Sequence, residues 1–260
     1  MFEPVGESAR IEKGSFTRIL VFGDLHGDLE ALKRGLSQRS SQDLLIFLGD
    51  YADRGPQGVE VIEGLLDLQQ RIPEKLILLM GNHEDYDSEG RPSFMPCTLI
   101  DEAESKRGGW FSFFPVFRRF QESLYLSALL PGGALFVHGG IGSEIGNLEM
   151  LSEPDAALRT QLLWGDPADG EGESPSPRGA GRLFGPDISQ TVLGALGMRY
   201  LIRSHEPRKA YAGPMVEHQG RVVTTSSTRV YGGRAFVLVL EAQQLCDGTV
   251  DWQASTAFLD

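Results

Sequence analysis

Three apolar runs in the first third of the chain are separated by two stretches of helical spacing. The runs are Arg18-Ile19-Leu20-Val21-Phe22, Leu44-Leu45-Ile46-Phe47-Leu48 and Lys75-Leu76-Ile77-Leu78-Leu79-Met80. Between them, Leu29, Leu32 and Leu36 and then Val59, Ile62, Leu65 and Leu66 fall on single helix faces, and Pro73 stops the second helix. Continuously apolar strands alternating with helices require a parallel sheet covered on both faces, so the chain is expected to fold as α/β. Each run leads directly into a Gly/Asp/His motif: GDLHG at 23–27, GDYADRG at 49–55 and GNHE at 81–84. The carboxyl ends of such strands are where α/β sheets bind ligands.

The same pattern recurs later. A short strand, Ala134-Leu135-Phe136-Val137, delivers HGG at 138–140, and RSHE at 203–206 follows another apolar run, so four of the five histidines sit at strand ends. Asp24 and His26 are two residues apart, which in extended backbone points both side chains to one side and offers one oxygen and one nitrogen ligand. Asp50, at the neighbouring strand end, is placed to bridge that metal to a second, as carboxylates do in two-metal phosphatases where the ions lie roughly 3.5–4 Å apart. Asn82, His138 and His205 complete the second ion's ligands. Mixed carboxylate, imidazole and amide donors suit Mn, with Fe or Zn as alternatives, better than an all-oxygen Mg or Ca cage.

This constellation implies hydrolysis of phosphate esters. A hydroxide bridging two metals is available near neutral pH and attacks phosphorus in line with the leaving group. His83 follows the ligand Asn82 and is the candidate general acid; Asp53 orients it, and the adjacent Arg54 clamps phosphate oxygens. The net charge of −12 argues against nucleic acid as a partner. It does not argue against phosphate, because two divalent ions beside Asp24 and Asp50 leave the site locally positive.

The rest of the composition narrows the class. At 260 residues, 41% hydrophobic and 23% charged, the chain reads as one soluble domain with no membrane span. Residues 1–16, MFEPVGESARIEKGSF, have no secretory apolar core and are expected to be a loose leader, which makes the protein cytoplasmic. Cys97 and Cys246 form no metal or disulfide pattern, and Ala103 stands where a cysteine phosphatase needs its arginine. His218, outside any motif, reads as a surface or strand histidine. The 92–129 region reads as helical and irregular, with its aromatic residues mostly core. By composition GDPADGEGESPSPRGAG after Trp164 is a flexible linker, and the last third is expected to add strands at 199–203, 210–217, 220–226, 235–241 and 250–258 in a second sheet.

The series GDLHG, GDYADRG, GNHE, HGG and RSHE resembles the calcineurin-like metallophosphoesterases, and more narrowly the PPP family of serine/threonine protein phosphatases. Leu162-Leu163-Trp164-Gly165-Asp166-Pro167 is similar to that family's LLWSDP motif, and Arg178 to Gly185 to its RGxGxxFG segment. The resemblance implies a sandwich of two mixed β-sheets flanked by helices. It assigns Asp24, His26 and Asp50 to one metal and Asp50, Asn82, His138 and His205 to the other. His83 matches the proton donor and Asp53 its partner, while Arg54 and Arg178 match the phosphate-binding arginines, which turns the apparent linker into an active-site wall. The substrate it implies is a protein or peptide phosphorylated on Ser/Thr, with Tyr as a further option. The loop Thr225 to Gly232 departs from the family's SAPNYCG. A dinucleoside polyphosphate hydrolase with the same metals is the alternative, and a non-catalytic phosphate-binding protein the third reading.

Overall fold

The computed structural model describes residues 1–259. An N-terminal hairpin, β1 (Phe2–Val5) and β2 (Ser8–Ile11), precedes β3 (Arg18–Phe22), α1 (Leu29–Ser37), β4 (Leu44–Phe47), α2 (Gly58–Arg71) and β5 (Leu76–Leu78). Then come α3 (Leu99–Arg107), α4 (Trp110–Gln121), β6 (Ser127–Leu130), β7 (Ala134–Val137), α5 (Glu149–Ser152) and α6 (Ala156–Trp164). The last part holds β8 (Asp166–Pro167), β9 (Glu173–Pro175), β10 (Arg182–Phe184), α7 (Pro186–Ala195), β11 (Tyr200–Arg203), β12 (Met215–Glu217), β13 (Val222–Thr224), β14 (Phe236–Glu241), α8 (Ala242–Asp247) and β15 (Thr256–Phe258).

Two large sheets carry the architecture: five strands in the order β15-β14-β3-β4-β5, and seven in the order β1-β2-β6-β7-β11-β13-β12. Both are mixed. The central trio β3, β4 and β5 is parallel as the alternating pattern requires, and β7, β11 and β13 form a second parallel trio. Because side chains alternate across a strand, Ile19 and Val21 pack with Phe136, Ile202 and Val223 between the sheets, while Leu20 and Phe22 face the other way onto α1 and α2. Leu135, Val137 and Leu201 cover the outer face of the larger sheet with α6 and α7. The result is the expected sandwich, with helices outside both sheets.

Several expectations need correction. Residues 1–16 are not a loose leader: β2 pairs in parallel with β6, and Ser8, Ala9 and Ile11 are buried. Their sequence lacks an apolar run because one inward position is Ser8, whose hydroxyl is held by Ser127 Oγ at 2.6 Å and donates to Leu151 O at 2.7 Å. The segment after Trp164 is not a linker either, since β8, β10 and β9 form a small three-stranded sheet. Of the last strands, β11, β13 and β12 join the second sheet, but β14 and β15 return to the first and extend it antiparallel from β3. His218 is buried: its Nδ1 meets Ser189 Oγ at 2.6 Å and its Nε2 meets Ala168 O at 3.0 Å, so it bolts the small sheet to α7. No helix among the described residues is long and apolar enough to cross a membrane.

The aromatic region is mainly core. Trp110, Phe113, Phe117 and Phe120 are buried on one face of α4, whereas Phe111 is 80% exposed. Phe117 touches Tyr86, Trp110 and Phe114. Phe117→Ala is therefore expected to lower the unfolding free energy by about 3–5 kcal/mol, and Phe111→Ser to change it by no more than about 0.5 kcal/mol, in denaturant titrations.

Candidate metal centre

The parallel trios of the two sheets end at one common edge, and all six expected ligands emerge there: Asp24 after β3, Asp50 after β4, Asn82 after β5, His138 after β7 and His205 after β11, with His26 in the turn following Asp24. All six are buried, as are Asp53 and His83. The extended geometry read for Asp24 and His26 is not what brings them together, because His26 lies in the left-handed region at φ 45°. So do Asp50, Asp53, Arg54 and His205, five of the seven non-glycine residues with positive φ among the described residues. Strained backbone of this kind persists only where surrounding contacts enforce it, and here it marks the site.

The expected ligand atoms converge. His138 Nδ1 donates to Leu48 O at 2.8 Å, so its Nε2 carries a lone pair. That lone pair faces Asn82 Oδ1 at 3.1 Å, His205 Nδ1 at 3.1 Å and Asp50 Oδ1 at 3.3 Å. On the other side of Asp50, His26 donates from Nδ1 to Ala52 O at 2.9 Å and turns Nε2 towards Asp50 Oδ2 at 3.4 Å and Asp24 Oδ2 at 3.8 Å. The two oxygens of Asp50 thus each face a different imidazole. Asp24 Oδ2 and His205 Nε2 are buried with no hydrogen-bond partner at all. Buried polar atoms left without partners among carboxylates fit cations, and the hydrogen bonds on the far ring nitrogens of His26 and His138 are those that orient histidine ligands.

Protonation preferences agree. Burial, reinforced by His83, pushes His26 down to about 3, and burial with His205 and Arg203 nearby pushes His138 well below the usual histidine range. Neutral imidazoles are what metal ligation requires. Burial pushes the Asp24 and Asp50 carboxyls up, Asp50 also by the neighbouring charges of Asp24 and Glu84, so the pair calls for positive charge between them. Grouping by distance yields two candidate clusters, His26 with Asp50 and His83, and Asp50 with His138 and His205. His83 therefore reaches the same space as the first ion's expected ligands. Its Nδ1 is 2.8 Å from Asp53 Oδ2, and Asp53 Oδ1 accepts from Thr98 N at 2.5 Å and Leu99 N at 2.8 Å. Burial alone would raise the Asp53 carboxyl, but His83 and these amides hold it below its ordinary value.

A cleft of about 210 Å³ opens onto this cluster, lined by His26, Asp50, Asn82, His83 and His205 and rimmed by Arg54, Arg178, Met95, Trp164 and Tyr231. Both arginines of the resemblance thus stand at one opening. A larger cavity of about 560 Å³, between the N-terminal hairpin and the end of α4, is lined by none of these residues.

Three residues were missed by sequence reasoning. Glu84, the last residue of GNHE, is fully buried and accepts from the amides of Asp50 at 2.8 Å, Tyr51 at 2.9 Å and Gly81 at 3.0 Å. It ties the ends of β4 and β5 together, and its position in a motif was the only signal. Tyr231 keeps a tyrosine over the site despite the altered loop: its hydroxyl is 3.3 Å from His26 Nε2, and burial pushes its pKa up to about 12. Its loop is anchored by the bidentate pair Arg229–Asp28 at 2.6 and 2.9 Å. Ser204, beside His205, donates to Asp24 Oδ1.

Metal should be read out as stability. Adding Mn²⁺ to metal-stripped chain is expected to raise the unfolding free energy by about 2.7 kcal/mol at a concentration about 100 times Kd. Asp50→Asn should lose most of that shift in thermal melts. Glu84→Gln sets an amide N–H against backbone N–H donors and should cost about 1–3 kcal/mol in the stripped protein.

Comparison with known proteins agrees with this geometry. The family model for calcineurin-like phosphoesterases matches residues 17–209. Serine/threonine-protein phosphatase 5 of Homo sapiens is 33% identical over 243 residues, which cover 88% of this chain and 47% of that protein. The chain spans about half the length of such curated relatives. A Saccharomyces cerevisiae protein serine/threonine phosphatase, described as similar to human phosphatase PP5, superposes with a TM-score of 0.80 at 28% identity, covering 98% of this chain and 83% of that one. The cold-active protein-tyrosine phosphatase of a psychrophilic Shewanella shares the fold, with a TM-score of 0.60 at 18% identity over 99% of this chain and 83% of its own. A site built from both sheets and a family model spanning most of its length make this chain a member of the calcineurin-like phosphoesterase family.

Proposed function

We propose that the chain is a two-metal phosphomonoester hydrolase of the serine/threonine protein phosphatase type, acting on phosphorylated proteins or peptides. The observation that carries this reading is the Asp50 carboxylate, whose Oδ2 lies 3.4 Å from His26 Nε2 and whose Oδ1 lies 3.3 Å from His138 Nε2. Asp24, His26 and Asp50 would hold one ion, and Asp50, Asn82, His138 and His205 the other. Bound there, Mn, Fe or Zn would supply Lewis acidity and lower the pKa of coordinated water to about 7.

The chain's own groups do the rest. Arg54 and Arg178, at the rim of the cleft, grip the non-bridging phosphate oxygens and favour the charge that builds on them. The alkoxide leaving from a serine or threonine ester is strongly basic and needs a proton. His83 supplies it from Nε2, because Asp53 holds Nδ1 at 2.8 Å and so orients the ring with Nε2 towards the cleft it lines. A protein substrate is supported by the 33% identity to a relative named for serine/threonine dephosphorylation.

The test is hydrolysis of para-nitrophenyl phosphate and of a phosphothreonine peptide by metal-stripped protein given Mn, Mg, Zn or Fe in turn. Activity on both should return with Mn and vanish in Asp50→Asn. His83→Asn should slow the peptide on the order of 10²–10⁴-fold and para-nitrophenyl phosphate far less, since nitrophenolate leaves without a proton. Turnover of diadenosine tetraphosphate orders of magnitude faster than the peptide would replace this reading with nucleotide hydrolysis.

A further inference from the structure

Arg203 is the largest fully buried side chain in the structure and lies two residues before His205. A buried guanidinium is tolerated only when its N–H groups find partners, so where they point shows what it holds in place. Its Nε donates to Gly139 O, the carbonyl next to His138. Nη1 donates to Glu206 at 2.6 Å and Nη2 to Gly165 O at 3.2 Å. Nη2 also donates to Asp166 Oδ1 at 2.7 Å.

Asp166 has a second task. Its other oxygen, Oδ2, accepts from Nε of Arg178 at 2.6 Å. Arg178 sits between β9 and β10 on a loop with Gly179 and Gly181 both at positive φ, where Ser176 holds the backbone: its O accepts from Gly179 N at 3.1 Å, its Oγ accepts from Arg178 N at 3.2 Å, and its N donates to Gly181 O at 3.4 Å. The Asp166 contact uses only Nε, which leaves both terminal nitrogens of Arg178 for the cleft it lines. Arg203 itself does not line that cleft.

We propose that the buried pair Arg203–Asp166 is a positioning device for phosphate binding: Arg203 fixes the Asp166 carboxylate from behind, and that carboxylate aims the Arg178 guanidinium across the metal centre. The inference rests on the phosphate role given to Arg178 above. Two shared-carboxylate contacts act in series, so Asp166 and Arg203 influence phosphate only through Arg178 and not through the metals. Arg203→Lys keeps the charge but loses the fork that reaches Gly139, Gly165 and Asp166 together. Asp166→Asn keeps the shape but loses the charge between the two arginines.

The experiment is the inhibition constant of inorganic phosphate against para-nitrophenyl phosphate in Mn-loaded protein, with bound Mn measured in every variant. Arg178→Ala should raise the constant about tenfold or more, the usual worth of charge-assisted hydrogen bonds. Asp166→Asn and Arg203→Lys should each raise it several-fold with bound Mn unchanged. In the Arg178→Ala background neither should raise it further, which a merely structural role would not produce. Effects that add in that background, or lost Mn accounting for the change, overturn the positioning role while leaving Arg178 a phosphate ligand. An unchanged constant in Arg178→Ala overturns the phosphate role of Arg178 and the proposal with it. Should Arg203→Lys not fold, Asp166→Asn alone and in combination reads the same link and decides in the same way.

Discussion

Lone pairs forced to face one another are the constraint on which this structure depends. His138 Nε2 meets Asn82 Oδ1 and Asp50 Oδ1 at 3.1 and 3.3 Å with its proton committed elsewhere, to Leu48 O. Such a cluster is unfavourable by itself and opposes folding until cations enter. The fold must therefore hold each donor from outside. It does so with backbone donors and acceptors: Ala52 O for His26, Leu48 O for His138, the amide of His205 for Asp24 and the amide of His83 for Asp50.

Those restraints work because two parallel trios of strands end at the same edge. Their interior is a close-packed layer made mainly of Ile, Val, Leu, Phe and Ala, so the strand ends are fixed relative to one another to within packing tolerance. Close approach between the loops then becomes a steric requirement. A Cβ on Gly81 would overlap the Asp50 carboxylate, and one on Gly49, at φ 105°, would overlap the Gly81 backbone. Glu84 completes the joint by accepting from Asp50, Tyr51 and Gly81 together. Burial pushes its carboxyl up to about 7 even though these three amide bonds pull it down.

The outer wall of the cleft is organised differently. Arg54 projects from the strained turn after β4, whereas Arg178 comes from a glycine-bearing loop held by the Ser176 turn and by its ion pair with Asp166. An acidic protein thus concentrates positive charge at one opening. The buried cation of Arg203 holds Asp166, and Asp166 holds Arg178, so this side of the opening is braced from the protein interior.

The elements that were legible from the residues are those whose signal is local. Continuous apolar runs named β3, β4 and β5, and 3.6-residue spacing named α1 and α2, because each buries a face that its own sequence displays. Strand-end motifs named the six expected ligands together with Asp53, Arg54 and His83, but not Glu84, Ser204 or Tyr231, since a Gly/Asp/His turn carries its chemistry in the motif itself. What escaped was non-local. The N-terminal β2 is a strand because β6 offers it an edge, and the composition of 165–185 becomes a wall because Asp166, Arg203 and Gln161 hold it. The chain order placed the donors at strand ends. Only the packing of two sheets face to face decided that those ends meet, that Asp50 lies between His26 and His138, and that Arg203 and Asp166 stand behind Arg178. Distances between segments far apart in sequence are set by how the core fills space, and no local pattern encodes that.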